Sequence, residues 1–449
     1  MPTETTAAAV VAQYADRLSG QPADYDALLE LIGDARFVLL GEASHGTHEF
    51  YAERATITRR LIEEKRFDAL AIEGDWPDAR CVSRYVRGEG EARTAVEALA
   101  EFTRFPTWMW RNRPMADFVQ WLRDSNDARA AGEAKTGVYG IDLYSLHASM
   151  RSVIRHLQQV DPGAARIARE RYACFDHFGE EAQVYGFMTR TGAAESCERE
   201  AIAQLLDMQR LAMETVHRDR STAEEDAFYA EQNARVVAHA ERYYRSMFLG
   251  NVSTWNLRDE HMVQTIEAIA AFLDRRVGRS RIVVWAHNSH VGDARATEMG
   301  RRGELNVGQL LRERHGDDCF SVGFTTHRGT VTAASDWDEP AERKRVRESR
   351  EDSHERVLHD SGVPRFLLRL RRSAELRETL SSPRLERAIG VVYRPETERQ
   401  SHYFRARLAD QFDALIHLDT TRAVEPLDPA ARWSDGERDE LPETYPSGM

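Results

Sequence analysis

At 449 residues the chain can bury a large core, and its length suits one large domain with an insertion, or two domains. Hydrophobic residues make up 42% and charged residues 30%, the balance of a soluble globular protein, and no apolar run approaches the ~20 residues of a membrane span. The 61 Lys and Arg against 74 Asp and Glu leave a net charge of -13, which argues against nucleic acid as a partner.

The start, Met1 to Val11, lacks the basic-then-apolar pattern of a secretory leader, so a cytoplasmic location is expected. Strand-like runs at 36–41, 67–73 and 136–142 alternate with helical patterns, which predicts βαβ units and a parallel sheet. The helix after the first run carries Phe50, Ile57 and Leu61 on one stripe. Residues 143–280 hold no convincing strand but several long helical patterns, which predicts an all-helical insertion. Within it, Thr222-Ala223-Glu224-Glu225 matches a capping box and Gly250 suits a C′ position, so 222–248 reads as one helix. The next helix places Met262, Ile266, Ile269 and Leu273 on one face, with Arg258 a turn earlier and directed toward the core.

A fourth strand-like run begins at Ile282-Val283-Val284-Trp285 and is extended by Ala286-His287-Asn288-Ser289-His290. Beyond it, 320–326 and 329–334 read as a hairpin turning at His327-Arg328, and the charged stretch 336–356 reads as an exposed loop. Strands at 365–370, 388–393 and 414–418 would extend the sheet, and the acidic, Pro-rich tail reads as loosely ordered. The widely spaced Cys81, Cys174, Cys197 and Cys319 read as reduced core thiols. The expected fold is α/β, a three-layer sandwich with a mostly parallel sheet and a large helical insertion. Residues 1–142 and 281–427 form its discontinuous core, 143–280 a helical lobe over the cleft, and 428–449 the tail.

Four strands end in polar chemistry: Gly41-Glu42-Ala43-Ser44-His45-Gly46, Glu73-Gly74-Asp75, Ile141-Asp142 and Ala286-His287-Asn288-Ser289-His290. Ligands of open parallel sheets sit outside the carboxyl ends of the strands, so these endings can meet in one site. Glu42 beside His45 can fix the imidazole tautomer and raise its basicity, which makes His45 the candidate general base, while Gly41 and Gly46 let the backbone turn sharply. The structural alternative is a helix-capping turn with a satisfied histidine. Glu73 and Asp75 add carboxylates, and a histidine pair at 287 and 290 is costly in a buried strand end unless bonded or useful. Arg258 could stabilise an oxyanion or simply close a salt bridge. Trp76, Trp108 and Trp110 could line an apolar cleft or fill the core. His287, His290, Glu42 and Glu73 also make a credible divalent-metal ligand set, so a metal hydrolase is the rival reading. A third is a non-catalytic binder of a bulky apolar ligand. The His354-to-His359 segment imitates a zincin helix with one residue too many and reads as coincidence.

The chain resembles the erythromycin esterase family at Gly41-Glu42-Ala43-Ser44-His45-Gly46-Thr47 and Ala286-His287-Asn288-Ser289-His290-Val291. Further matches are Tyr139-Gly140-Ile141-Asp142-Leu143-Tyr144-Ser145-Leu146, Trp255-Asn256-Leu257-Arg258-Asp259 and Glu398-Arg399-Gln400-Ser401-His402-Tyr403, all in one order between about Phe37 and Leu427. The resemblance implies an α/β fold with a helical lobe and a deep cleft, and a hydrolase without cofactor or metal that opens macrolide lactones, an antibiotic-resistance activity. It implies that His45 activates water, that Glu42, Glu73 and His287 orient it, and that Arg258 and His290 complete the polar site. Tyr144 and His402, within the matched motifs, join Trp76, Trp108 and Trp110 as expected substrate-binding residues. The expected partner is a small-molecule ester or lactone, with no nucleic acid and no membrane; many relatives lack an established substrate.

Overall fold

The computed structural model describes residues 4–178, 182–218, 222–248, 251–371, 373–429 and Trp433. Most of the predicted tail, and Gly250, lie outside these residues. The strands at Phe37–Leu40, Ala69–Asp75, Gly137–Asp142 and Ile282–Trp285 are wholly buried, and apolar apart from the carboxylates near the ends of the second and third, as expected for a sheet covered on both faces. With Asp16–Arg17, Cys319–Thr325, Arg365–Arg369 and Ala414–Leu418 they build one eight-stranded sheet. Six neighbouring strands run parallel, and Arg365–Arg369 joins their edge antiparallel.

Alternate residues of each strand serve opposite cores. Val38, Leu40, Leu70, Ile72, Val283 and Trp285 pack with Phe50, Ile57 and Leu61 of the helix His48–Lys65. Phe37, Leu39, Ala69, Ala71, Ile282 and Val284 pack instead with Met262, Ile266 and Ile269 of the helix Asn251–Val277. Helix, sheet and helix therefore form three layers, and the protein is a mixed α/β fold rich in parallel strands. Every described element between Asp142 and Ile282 is helical. The helices from Leu146–Val160 to Thr222–Ser246 enclose a core of their own, including Val153, Tyr185 and Val237. Among the described residues, no helix is long and apolar enough to cross a membrane.

Several expectations beyond the fourth strand need correction. Segments 320–326 and 329–334 form no hairpin: Arg328–Ala333 leaves the main sheet and pairs with Thr420–Thr421 and Glu342–Val346. The supposed exposed loop 336–356 therefore contains a strand, and it ends in the helix His354–His359. Residues 388–393 make only isolated bridges, Ile389 to Ser44 and Val392 to Ala334, while Arg384–Arg387 pairs with Tyr403–Ala406. Cys174 and Cys197 are not free thiols: the lobe brings their Cα atoms to 6.0 Å and they form a disulfide, leaving Cys81 and Cys319 free. His354 donates to the Ala406 carbonyl and His359 to Asp419, so the zincin-like spacing has separate structural partners.

Gly41 and Gly46 serve close approach rather than a left-handed turn, since neither has positive φ. A Cβ on Gly46 would sit 1.8 Å from the Thr332 carbonyl oxygen, while the Gly46 carbonyl accepts from Thr332 and Val424. Gly46→Ala should therefore lose about 1–3 kcal/mol of stability through overpacking. A urea midpoint equal to wild type would show that this contact is not tight.

Candidate active site

The strand order brings Phe37–Leu40, Ile282–Trp285, Ala69–Asp75 and Gly137–Asp142 side by side, although Ile282–Trp285 comes last of the four in the chain. Connections reverse direction about this point, and their carboxyl ends open on one cavity. It measures about 440 Å³ and is lined by His45, Glu73, Asp142, Arg258, His287 and His290, among others. Glu42 lies directly behind His45 and is fully buried.

The His45 Nδ1–H donates to Glu42 Oε1 at 2.9 Å, which leaves Nε2 as the basic nitrogen. Glu42 Oε2 accepts from Arg54 Nη2 at 2.7 Å. Arg54 lies on the apolar stripe of His48–Lys65, completely buried, with its guanidinium over the rings of Tyr51 and Trp285. Sequence reading missed Arg54; the available signal was a cation at position 54 between Phe50 and Thr58 on a core-facing stripe. His45 Nε2 lies 3.9 Å from Glu73 Oε1.

Glu73 is held from three sides. Its Oε2 accepts from the His287 backbone N–H at 2.8 Å, and its Oε1 accepts from Arg258 Nη2 at 2.8 Å, with His290 Nε2 at 3.4 Å. Burial alone would raise this carboxyl, but the neighbouring His290, His45 and Arg258 hold it well below the usual carboxylate range. Arg258 also forks onto Asp142 through Nε and Nη2 at 3.0 and 2.7 Å, and its Nη1 lies 3.0 Å from His290 Nε2. The His290 Nδ1–H donates to Asp259, 2.8 Å away. Burial works against a charged His290, but Asp259 and Glu73 overcome it and lift the imidazole to about 9.

His287 differs. Its Nδ1 accepts from the Ser289 backbone N–H and hydroxyl at 3.2 and 2.8 Å, so the ring proton resides on Nε2. Burial, and then the neighbouring His45, push this group down to about 3, so it is neutral. Its Nε2 is buried and makes no close hydrogen bond among the described residues, with the Ala43 backbone as its nearest polar interaction. A neutral donor thus stands beside a basic imidazole, with ring centroids 5.0 Å apart.

Of the expected substrate residues, Trp110, Tyr144 and His402 line the cavity. Trp110 Nε1 donates to the Glu73 carbonyl, and the Tyr144 ring lies between the guanidiniums of Arg104 and Arg258. Trp76 and Trp108 do not line it. Trp76 donates to the Tyr229 carbonyl and packs on Tyr139, and Trp108 packs edge-on against Phe105. Among the cavity residues with no role assigned from sequence are Trp255, stacked on His290, and Arg104, which forks onto Asp75.

A family model for erythromycin esterase matches residues 62–421, a span that contains Glu73, Arg258, His287 and His290. Erythromycin esterase type II of Escherichia coli is 22% identical over 421 residues, covering 90% of this chain and 93% of that protein. Solved structures share the fold. A succinoglycan biosynthesis protein superposes with a TM-score of 0.73 at 20% identity, over 95% of this chain and 99% of its own. A mutant of erythromycin esterase EreC in its open conformation gives 0.63 at 18% identity, over 93% and 98%. The polar cavity at the strand ends thus lies largely within a family match that runs through most of the sequence: the chain belongs to the erythromycin esterase family.

Proposed function

We propose that this protein hydrolyses carboxylic esters or lactones, macrolide lactones among them, with a water molecule that His45 activates. The observation that carries this reading is the buried relay Arg54–Glu42–His45, which leaves a basic Nε2 in the cavity opposite Glu73. The 3.9 Å between His45 Nε2 and Glu73 Oε1 lets one water oxygen lie within hydrogen-bond reach of both. Glu73 orients that water and His45 takes its proton as the oxygen attacks the ester carbon. The carbonyl becomes an oxyanion, and the His287 Nε2–H, without a close hydrogen bond, can donate to it. When the tetrahedral intermediate collapses, the C–O bond to the alcohol breaks and the His45 imidazolium returns its proton to the leaving oxygen. Products are one acid and one alcohol, joined as a hydroxy acid when the substrate is a lactone.

Arg258 spends donors on Glu73 and Asp142, which favours a role in holding the site over direct contact with the oxyanion. The same geometry weighs against the metal reading. A divalent ion on Glu73 and His290 would have to displace the guanidinium already between them. The cavity's aromatic wall, with Phe102, Phe105, Trp110 and Tyr144, suits a bulky apolar substrate.

With macrolides and aryl esters as substrates, mass spectrometry should show a gain of one water by the wild type. His45→Asn should lower kcat by ~10²- to 10⁴-fold with the fold unchanged. Hydrolysis at the wild-type rate by a folded His45→Asn would remove the base from the scheme. His287→Ala should lower kcat by ~10²- to 10³-fold while KM changes little, the mark of a donor used in the transition state. An equal rise in KM instead would make it a binding residue.

His290 has a folded value of about 9 against an ordinary value near ~6.5, so the stability drawn from its charge is complete below about pH 6.5. It is lost as pH rises through 9. Denaturation midpoints should fall across this alkaline range in wild type and stay flatter in His290→Gln, with kcat falling along the same limb. Superimposable stability profiles would count against a cationic His290.

A further inference from the structure

The connection between the strands Arg328–Ala333 and Glu342–Val346 carries Asp336-Trp337-Asp338-Glu339, a single indole in an otherwise acidic run. The base of this turn is fixed. Ala334 donates its backbone N–H to the Val391 carbonyl at 2.9 Å and accepts from the Tyr393 N–H at 3.0 Å, and Val391 is part of the cavity wall. The Ser335 hydroxyl accepts from Lys344 Nζ at 2.6 Å. Arg394 donates from Nε to the Ser335 carbonyl at 3.1 Å and pairs through Nη2 with Asp336 at 2.9 Å. Its backbone N–H donates to Nε2 of His402, another cavity residue, at 3.1 Å. The turn is therefore fastened to the wall of the cavity. Trp337 stands on it, lining the cavity while 56% of its surface is exposed.

Scattered exposed apolar side chains are ordinary, but this one continues an aromatic series. Trp337 meets Phe105 edge to face, with centroids 5.0 Å apart and planes at 61°, and Phe105 meets the buried Trp108 at 5.3 Å and 84°. The indole is the outermost of three rings, and Phe105 shares the cavity lining with it. We infer that Trp337 is a substrate-binding residue that determines specificity: its indole receives the apolar body of the ester beyond the reacting carbonyl, so that esters with an extended apolar body are preferred to short ones. The inference deepens the hydrolytic reading above and rests on it for the identity of the reacting group. Covering the indole face removes apolar surface of both partners from water, and the gain grows with the area that reaches the rim. A short ester leaves that face wet. The contact involves no reacting atom, so it serves ground state and transition state alike and belongs to KM rather than kcat.

The test compares Trp337→Ala with Trp337→Phe in the full chain; the side chain is more than half exposed, so neither change empties the core. Unreactive amides read binding without hydrolysis. N-phenyloctanamide and N-octylbenzamide place a long chain on one side or the other of the carbonyl, and N-phenylacetamide has none. By calorimetry the wild type should bind at least one long amide more tightly than the short one, and Trp337→Ala should reduce that preference ~10-fold, with Trp337→Phe between the two. With phenyl octanoate, octyl benzoate and phenyl acetate as substrates, the same preference should be lost through KM. A wild type that binds the long amides no more tightly than N-phenylacetamide overturns the inference, as does an undiminished preference in Trp337→Ala. If binding depends on Trp337 but none of the esters is hydrolysed, the proposed reaction fails and the binding role stands. Hydrolysis with the preference intact in Trp337→Ala defeats the role and leaves the reaction.

Discussion

Glu42 and Arg54 are both completely buried, and each is the other's ion-pair partner there. Their pairing uses one carboxylate oxygen and leaves the other for His45, so an ion pair in the core sets the tautomer of an imidazole in the cavity. The Nε and Nη1 of Arg54 have no hydrogen-bond partner among the described residues, and the rings of Tyr51 and Trp285 lie against its guanidinium instead. Those rings come from the helix and the strand that build one face of the core. The position of the acid, and through it of the base, is therefore part of the packing of the sheet. Removing either charged partner would leave the other uncompensated, an imbalance of the kind that costs about 3–5 kcal/mol.

The opposite wall of the cavity solves the same problem with more participants. Arg258 spans Glu73, Asp142 and His290, and Asp259 steadies His290 from behind. Cations and carboxylates alternate there, and no member depends on bulk water for a partner. Between the two walls stands His287, kept neutral by burial and by His45. Its Nε2–H, without a close hydrogen bond, is the least committed donor in a site where most polar atoms are paired, the property asked of a group that meets a charge only during reaction.

The strand endings are legible in the sequence because a strand covered on both faces shows as an unbroken apolar run, which stops where the backbone leaves the sheet. Glu42, His45, Glu73, His287 and His290 all fall at such stops, and topology then brings them together. Arg258 is legible from helical periodicity, because its place beside the Met262 and Ile266 stripe directs it inward. Arg54 obeys the same rule, but a lone arginine on a helix gives no sign that its partner precedes it by twelve residues. The indoles of Trp76 and Trp110 look alike in sequence, and only the packed fold turns one under Tyr229 and the other toward the cavity. Strand pairing fails for a related reason. Alternation marks Arg328–Ala333 as a strand but carries no information about Thr420–Thr421, a partner far along the chain.

The strand Ile282–Trp285 lies between Phe37–Leu40 and Ala69–Asp75, yet it is synthesised after the whole helical segment. At ~5–20 residues per second, the roughly 200 residues from Asp75 to Ile282 keep a ribosome occupied for on the order of 10–40 s. Through that interval Phe37–Leu40 has neither of its native neighbours, Ile282–Trp285 and Cys319–Thr325, and Ala69–Asp75 has only Gly137–Asp142. Unpaired strand edges are templates for pairing with other chains, and here they await strands made after the helical segment. Ile282–Trp285 also carries His287 and His290 at its end, and placing it and completing the polar cavity are consequently a single event.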